Sequence, residues 1–278
     1  MKKILAIAFV LCSAVLFCSF KCPPVCTGCK NIEVFNENGL YVFHIPAAGK
    51  FVIRPYISEK LVYNSDVFKK TGAELVVNAG YFDPQNQQTS SFVTIDGVEV
   101  LNPKNNKNLT RNKDISSHMR QVLNRTEFRV MDCKGKTRYD IAAHNARVPF
   151  KCELVHSIQA GPLLYPDLRL EQEYFVSTEG TKITRNSISA FEKCARTAIG
   201  LKDNDIYIII ATNKHPLTLP ELSDVCKDLC LDKAMNFDGG GSTSVDFKGT
   251  QNPEFKNLHI VSDRDKNARK LKSFLIIK

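Results

Sequence analysis

The chain has 278 residues, 43% of them hydrophobic, which is enough to bury one large domain or two small ones. The formal net charge is +9, but the basic residues are scattered and there is no tryptophan, so a nucleic-acid-binding protein is not indicated. The charge is compatible with anionic polymers, phosphorylated glycans or lipid head groups, but a solvated basic surface is the favoured interpretation.

Residues 1–20 have the pattern of an export signal. Two lysines precede an uncharged apolar run over residues 4–20, as in the charged and apolar regions of a signal. The run is 17 residues long, so a cleaved signal and an N-terminal membrane anchor are both open. A lipid on Cys18 is disfavoured by the bulky Phe17 before it. The sequence predicts a protein exported to the periplasm or the outside, with a membrane tether at its N-terminus as one option.

Residues 21–31 are rich in proline and cysteine and are interpreted as a linker before a domain over residues 32–278. Eight cysteines follow the signal, an even number that favours disulfides in an exported protein. They are Cys22, Cys26, Cys29, Cys133, Cys152, Cys194, Cys226 and Cys230. The first three lack a second cluster with which to bind zinc, so disulfides or a tether are favoured there. Cys226 and Cys230 lie on one face of a predicted helix and also fit buried apolar positions.

From residue 32 onward, short apolar runs alternate with turn signals. The predicted strands cover residues 32–35, 40–45, 73–79, 92–95, 98–101, 156–165, 196–201, 206–211, 233–237, 244–247 and 273–278. Residues 36–39 and the pair Asp96-Gly97 are hairpin turn signals. Residues 102–127, rich in asparagine and lysine, are interpreted as a long excursion or lid.

One helix start is clear in the sequence. Thr218 and Glu221 form a capping box, and Pro220 lies in the first turn, where its missing N–H costs nothing. We expect this helix to end near Cys230. Strands dominate and helices are few, so the predicted fold is α+β, a single domain built around a mixed β-sheet.

Three consecutive glycines follow the predicted strand 233–237, within "MNFDGGGSTSV". Each glycine costs roughly 0.5–1 kcal/mol inside a regular element, so the run requires a reason. One reason is a turn with positive φ angles whose N–H groups converge on an anion, with Ser242 and Thr243 as additional donors. A phosphate or a group of sugar hydroxyls would suit it. A simple turn or bulge is the alternative.

Asp238 precedes the glycines and would repel a phosphate bound there. It could instead bind sugar hydroxyls, act as a general acid with a raised pKa, or share a divalent metal ion. The sequence does not decide among these roles, so a metal cofactor stays open. It does predict a nearby cation, and Arg196 is the candidate because a guanidinium binds phosphate through two hydrogen bonds.

Five segments together resemble the phosphodiester glycosidase family. They are "NAGYFDP" (78–84), "QAGPLL" (159–164), "RTAIGL" (196–201), "LTLPELSDVCKDL" (217–229) and "AMNFDGGGSTS" (234–244), in the family's order and approximate spacing over residues 73–278. The resemblance implies hydrolysis of a sugar linked through its anomeric oxygen to a phosphodiester. The implied substrate is a sugar phosphate or glycan phosphodiester. Ala79 departs from the family, where a second glycine is common, and the loop "TNKHP" (212–216) is shorter than usual.

The resemblance implies a set of site residues. Asp238, Arg196 and Asn78 are the implied catalytic residues. The implied substrate-binding residues are Tyr81, Phe82, Gly161, Thr197, Asn236, Gly239, Gly240, Gly241, Ser242 and Thr243. Gly80 and Pro162 belong to the same motifs.

Structural roles are the alternatives for several of these residues. Tyr81 and Phe82 fit an ordinary core, Asn78 a turn after a strand, and Arg196 a buried ion pair. Asp83 is the candidate for a second carboxylate, which glycosidases place roughly 5–10 Å from the first.

His156 and His215 are candidate proton carriers, while Glu221 is expected to be used in its helix cap. Whether the C–O or the P–O bond breaks is open. The alternatives to an enzyme are a non-catalytic glycan- or phosphate-binding protein of the same fold, and a disulfide-tethered surface protein.

Overall fold

A computed structural model describes residues 29–250, 252–262 and 268–278. The predicted signal or anchor (residues 1–20) and most of the predicted linker lie outside these ranges. Within them, no helix has the length and apolar character needed to span a membrane.

The described chain is mostly β-strand. The strands are β1 (Glu33–Glu37), β2 (Leu40–Ile45), β3 (Ile53–Val62), β4 (Leu75–Asn78), β5 (Val93–Ile95), β6 (Val98–Leu101), β7 (Thr126–Asp132), β8 (Thr137–Ala143), β9 (Glu153–Gln159), β10 (Leu163–Tyr165), β11 (Val176–Glu179), β12 (Lys182–Asn186), β13 (Arg196–Lys202), β14 (Asp205–Ala211), β15 (Lys233–Asn236), β16 (Ser244–Phe247), β17 (Leu258–Val261) and β18 (Leu271–Ile277). The α-helices are α1 (Asn64–Thr71), α2 (Lys107–Thr110), α3 (Met119–Leu123) and α4 (Leu219–Asp228).

Three larger sheets and one hairpin contain these strands. The first sheet has the order β1-β2-β14-β13-β15-β10, the second β17-β16-β4-β18-β3 and the third β6-β5-β9-β7-β8, while β11 and β12 form the separate hairpin. The predicted α+β class with few helices is confirmed. One detail differs, because every described strand pair is antiparallel, so the sheets are not mixed. Parallel pairs need long crossover connections, and hairpins supply many of the links here.

One hydrophobic core lies between the three larger sheets and contains Phe43, Val77, Phe128, Ile208 and Phe237 among its members. Helix α4 packs on the other face of the first sheet, and helix α1 on the other face of the second. Strand β14 is therefore covered on both faces, which explains its uninterrupted apolar sequence. The domain limits of residues 32–278 remain a prediction.

The strongest turn and cap signals are confirmed. The β1–β2 turn has positive φ at Asn38 and Gly39, and the β5–β6 turn has positive φ at Asp96 and Gly97. The α4 capping box forms as predicted: the Thr218 hydroxyl accepts from the Glu221 amide at 3.2 Å, and the Glu221 carboxylate accepts from the Thr218 amide at 2.8 Å.

Other elements differ from the predictions. Residues 156–165 are two strands, because Gly161 has φ +86° and Pro162 follows it. The excursion over residues 102–127 contains the short helices α2 and α3 and ends where β7 begins at Thr126. Strand β3 was not predicted; it contains Pro55, which is tolerated because β3 is at the edge of the second sheet.

The cysteines follow the disulfide prediction in part. Cys133 and Cys152 are joined to each other, and Cys29 and Cys230 are also disulfide-bonded. Cys226 is a buried free thiol on α4, as expected for an apolar position, and Cys194 is also buried. Cys22 and Cys26 lie outside the described residues.

Candidate active site

The predicted site lies where the glycine-rich segment passes from the first sheet to the second. Strand β15 ends at Asn236, and the next amide, of Phe237, donates to the Thr197 carbonyl of β13 in the first sheet. The Asp238 amide then donates to the Ala79 carbonyl, directly after β4 in the second sheet. The chain therefore changes sheets at Asp238, and β16 begins at Ser244 in the second sheet.

Asn78 at the end of β4 holds this crossing in place. Its side-chain NH2 donates to the Asp238 carbonyl at 2.5 Å. Its side-chain oxygen accepts from the Thr197 hydroxyl at 2.9 Å and from the Ser244 amide at 3.0 Å. Because the side chain is buried and bonded at both ends, it orients the backbone around Asp238.

Each of the three glycines has a different local environment. A Cβ on Gly239 would lie 3.1 Å from the Ala195 carbonyl oxygen, and one on Gly241 would lie 3.1 Å from the Arg269 guanidinium. Gly240 has a φ of +58°. Close packing against backbone accounts for Gly239 and the positive φ accounts for Gly240, whereas the neighbour of Gly241 is the end of a flexible side chain.

Most amides of the turn are already bonded. The Gly240 amide donates to the Ala195 carbonyl, and the amides of Ser242 and Thr243 donate to carbonyls within the turn. The Gly239 amide is directed to the Asp238 carboxylate. A converging nest of free N–H groups, as the sequence suggested, is therefore not formed by these four amides.

Asp238 has the chemically distinctive side chain of the site. Burial of the carboxyl raises its pKa to about 6, although part of the residue is reached by solvent. A hydrogen bond from Ser242, the charge of Arg269 and the Gly239 amide limit this rise. A carboxyl with this pKa exchanges protons readily near neutral pH, as a general acid or base must.

Arg269 is the cation next to Asp238. Its guanidinium lies over Gly241, and its Nη1 donates to the Ser242 hydroxyl at 3.4 Å. The side chain is exposed and has no ion pair with a described residue. The sequence analysis predicted a cation here but did not single out Arg269, which is distant in sequence and outside the family segments compared.

Arg196 lies next to the glycine turn but its guanidinium is bonded to backbone. Nε donates to the Leu217 carbonyl at 2.9 Å. The terminal nitrogens donate to the carbonyls of Ile188, Ser189 and Glu192 at 2.7 to 3.1 Å. The residue is 2% exposed, and four of its five N–H groups are bonded: three hold the loop before β13 and one holds Leu217, just before α4.

Tyr81 and Asn236 form a polar pair beside Asp238. The Tyr81 hydroxyl donates to the Gly161 carbonyl at 2.9 Å and accepts from the Asn236 NH2 at 2.9 Å. Burial and then the charge of Asp238 raise the pKa of Tyr81. The side-chain oxygen of Asn236 is buried without a hydrogen-bond partner in the described structure.

Gly161 connects the third sheet to the first at the same place. The buried Glu173 carboxylate lies behind it and accepts from the Thr126 hydroxyl at 2.6 Å and the Leu163 amide at 2.9 Å. Arg125 is nearby, with its guanidinium 3.7 Å from the centroid of the Phe175 ring, and burial lowers its pKa to about 10. The sequence analysis named neither Glu173 nor Arg125, because nothing in their local sequence marks them.

Gly161→Ala is expected to destabilise the protein strongly. A Cβ there would lie 2.3 Å from Glu173 Oε2, and φ at this residue is +86°. Strain plus displacement of a buried, bonded carboxylate should cost more than about 2 kcal/mol of unfolding free energy. Chemical denaturation checks this, with Gly135→Ala as control because φ there is +77° with open space around it. Equal losses in both variants would show that backbone strain alone matters.

The other predicted residues are distributed as follows. Thr197 and Thr243 are buried, with their hydroxyls 3.3 Å apart, beside Asn78. Phe82 packs with the cluster between α1 and the second sheet, away from the Tyr81 ring. Asp83 accepts from the Asn108 side chain at 2.8 Å. The structure thus brings together Asn78, Thr197 and the segment from Asn236 to Thr243, with Tyr81 and Gly161.

The two candidate proton carriers lie in different parts of the fold. His156 accepts from the Asp96 amide at the β5–β6 turn, and burial lowers its pKa. His215 lies in the loop 212–216, where the Asn213 side chain donates to the Ser262 carbonyl. That bond joins the loop to the end of β17, near the start of β16.

The residue types that bind metals do not mark this site. A cavity of about 1090 Å³ lies elsewhere, between the start of β1 and the end of β16. Within the described ranges, no group of three or more His, Cys, Asp or Glu side chains is placed to hold a metal ion. The site is identified by its chemistry and by the meeting of the sheets.

Comparisons with known proteins identify a family and a shared fold. A family model described as phosphodiester glycosidase matches residues 71–278. Among solved structures, the catalytic domain of zebrafish N-acetylglucosamine-1-phosphodiester alpha-N-acetylglucosaminidase, auto-inhibited by its pro-peptide, is similar with a TM-score of 0.62 and 16% identity, over 89% of this chain and 82% of that one. No curated protein matches the chain.

Two bacterial structures are similar as well. A hypothetical protein from Synechocystis has a TM-score of 0.57 and 14% identity, over 88% of this chain. This chain spans 61% of the length of that protein. A protein of Burkholderia pseudomallei described as exported has a TM-score of 0.60 and 13% identity, over 86% of this chain and 73% of that one. Identities this low show a shared fold.

Proposed function

Since this chain belongs to the phosphodiester glycosidase family and is a hydrolase, we propose that it acts outside the cytosol on a sugar-1-phosphodiester in a glycan or cell envelope. The bond cleaved joins the anomeric carbon to the phosphate oxygen, and the products are a free sugar and a phosphomonoester. The observation that carries the proposal is the Asp238 carboxyl, with a pKa of about 6, beside the exposed Arg269 guanidinium.

Asp238 acts as the base in this proposal. A phosphate departs as a stabilised anion, so the leaving oxygen needs little protonation. The attacking water, in contrast, must lose a proton as it bonds to the anomeric carbon. The ionised Asp238 carboxylate accepts that proton, and Ser242 and the Gly239 amide hold the carboxylate in position.

The phosphate binds to Arg269 and the glycine turn. Arg269 donates one N–H to Ser242 and keeps its remaining donors for a ligand. The Gly241 amide has no hydrogen-bond partner among the described residues and lies under the same guanidinium. The positive charge of Arg269 offsets the repulsion between a bound phosphate and the Asp238 carboxylate.

The sugar binds next to Tyr81 and Asn236. The buried side-chain oxygen of Asn236 is an acceptor without a partner, and a sugar hydroxyl would satisfy it. Asn78 and Thr197 position the segment around Asp238, because their side-chain polar atoms are bonded to the backbone or to each other. Phe82 has no part in this proposal, since its ring packs with the α1 cluster.

Two observations support a location outside the cytosol. The Cys133–Cys152 disulfide persists in oxidising compartments. A structurally similar protein of Burkholderia pseudomallei is described as exported. Both agree with the apolar N-terminal run of the sequence.

A panel of sugar-1-phosphodiesters tests the function, with free sugar and phosphomonoester measured separately. In ¹⁸O-labelled water we expect the label in the anomeric hydroxyl of the sugar. Label in the phosphomonoester would show P–O cleavage and contradict the proposed geometry. Binding without release of sugar would favour a non-catalytic glycan-binding role. Chelation and metal add-back, in the same assay, test whether a divalent ion takes part.

Arg269→Gln is expected to weaken substrate binding and shift the pH profile. Loss of the guanidinium should raise KM roughly tenfold or more, as for a charge-assisted bond of about 1.5–3 kcal/mol. Arg269 lowers the pKa of Asp238, so its removal should move the acid limb of kcat/KM to higher pH. The control is Lys270→Gln, at the next exposed position, which should leave both quantities near wild type. An unchanged KM and acid limb in Arg269→Gln would remove this residue from the site.

A further inference from the structure

The end of the third sheet farthest from the site carries an exposed aromatic ring. Phe150 is 88% exposed, the most exposed large hydrophobic side chain in the described ranges. It lies in the loop between β8 and β9, and Lys151 places its ammonium 5.0 Å from the centre of the ring. Leaving a phenylalanine in water forgoes roughly 1.5–3 kcal/mol of burial, so a ring held in this way suggests a partner.

A disulfide makes this end rigid. Cys133 at the β7–β8 turn is bonded to Cys152 two residues after Phe150. The Cys152 amide also donates to the Pro149 carbonyl at 3.1 Å, so residues 149–152 form a tight turn that carries Phe150. The ring is therefore presented by a fixed scaffold, and burying it in a partner orders little additional chain.

Basic side chains lie at the same end of the third sheet as the ring. Lys134, Lys136 and Arg138 lie on the β7–β8 hairpin that the disulfide joins to Phe150, and with Lys151 all are exposed. None of the four is in an ion pair with a described residue. Two acidic residues, Asp132 and Glu153, face each other at the base of the tip. The four basic residues outnumber them, so the tip keeps a net positive charge. We call Phe150 and these four basic residues the basic tip.

The basic tip and the catalytic site are at opposite ends of one strand. Strand β7 begins at Thr126, which donates to Glu173 behind Gly161, and ends at Asp132 below the tip. Six steps of about 3.3 Å place the tip about 20 Å from the site. A partner bound at the tip therefore leaves the site open.

The tip is also near the place where the described chain enters the domain. Glu33 at the start of β1 contacts His44, which contacts Asp205 at 2.8 Å. The neighbouring Asn204 accepts from the Tyr139 amide of β8, at 3.1 Å. Residue 33, near the beginning of the described chain, thus lies at the same end of the domain as the basic tip.

We propose that the basic tip docks on an anionic lipid bilayer, with the Phe150 ring among the head groups and the surrounding lysines on lipid phosphates. An aromatic ring flanked by basic side chains suits the membrane interface, where each Lys or Arg contributes about 1 kcal/mol. A membrane is the favoured partner because it accepts both the apolar ring and the charges at one flat surface. Docked in this way, the domain holds its catalytic site away from the bilayer.

A single tryptophan reports on the tip, because the natural chain has none. In the full chain, Phe150→Trp should show a shift of its emission to shorter wavelength with vesicles of equal parts phosphatidylglycerol and phosphatidylcholine. Iodide quenching should fall at least twofold, and pure phosphatidylcholine should have little effect. The control is Ile183→Trp, at a position that is 47% exposed on β12, and its emission should stay unchanged.

Charge variants in the Phe150→Trp background complete the test. Lys134→Gln with Lys136→Gln should raise the half-saturating concentration of anionic lipid at least tenfold. An unchanged Phe150→Trp spectrum with anionic vesicles would overturn the proposal, and so would an equal shift in the Ile183→Trp control. A shift produced by soluble dextran sulfate but not by vesicles would overturn it in favour of an anionic polymer. None of these readouts depends on catalytic activity.

Discussion

Asp238→Asn is expected to reduce kcat/KM for sugar release by roughly 10²–10⁴-fold, the range contributed by a general base. An amide keeps the shape of the side chain and its place beside Ser242, but it cannot accept the proton of the attacking water. The loss should appear in kcat, with KM within a few-fold of wild type. Asp224→Asn, at an exposed position on α4, is the matched control and should be fully active.

The pH dependence of kcat/KM shows whether Asp238 acts as a base or as an acid. The carboxyl has a pKa of about 6, so a base role predicts that kcat/KM falls as the pH drops through this value. A general acid would give the reverse, with activity falling as the pH rises. An alkaline limb near pH 6 and no acid limb would therefore assign Asp238 the acid role.

Asp238→Asn, which lowers the activity, should raise the stability of the folded protein. The folded state raises the pKa of Asp238 from 3.8 to about 6, so ionisation of the carboxyl disfavours folding increasingly between these two pH values and fully above about 6. At pH 8 Asp238→Asn should therefore be more stable than wild type, on the order of 1–2 kcal/mol because part of the residue is accessible to solvent. At pH 4 the gain should be much smaller. Thermal unfolding at the two pH values measures it.

Arg196→Ala is expected to lower the unfolding free energy strongly, because Arg196 holds the region before β13. We expect a smaller effect on phosphate binding. Four carbonyls would lose their donors in a buried site, which should cost at least about 3 kcal/mol of unfolding free energy. Arg196→Lys should recover part of the loss, since an ammonium reaches fewer of the four carbonyls. Urea denaturation measures both variants.

Arg147→Ala, at an exposed position, is the control for Arg196 and should be close to wild type in stability. The contrast with Arg269→Gln is informative, because that variant should keep wild-type stability while KM rises. If Arg196→Ala unfolds like wild type yet loses substrate affinity, Arg196 is a ligand of the phosphate after all. A loss of stability with an unchanged KM in Arg269→Gln would support the same conclusion.

Several elements followed from the sequence because they depend on neighbouring residues. The Asp96-Gly97 turn and the Thr218–Glu221 cap are local, since the groups that bond lie within three residues of each other. The class of the fold also followed, because strand-length apolar runs between turn signals leave few places for helices. The family could be inferred from five segments in order, and the family model confirms it over residues 71–278.

Other features depended on contacts between distant segments. Residues 156–165 have one apolar pattern, yet the carboxylate of Glu173 fills the space beside Gly161 and the chain breaks there. Asn78 has the sequence of a turn residue, but its partners are Thr197, Asp238 and Ser244, from other strands and loops. No local pattern predicts such partners.

The sequence by itself predicted that an aspartate beside a proposed phosphate-binding glycine turn would be accompanied by a cation, because two negative groups placed so close require charge compensation. Only the tertiary structure decided which arginine that is. Arg196 is adjacent to the turn, but the carbonyls of the loop before β13 and of Leu217 occupy its donors. Arg269 reaches the turn from just before β18, and its donors remain exposed. The difference arises because a side chain binds whatever acceptors the folded backbone places around it, and those acceptors come from segments far apart in sequence.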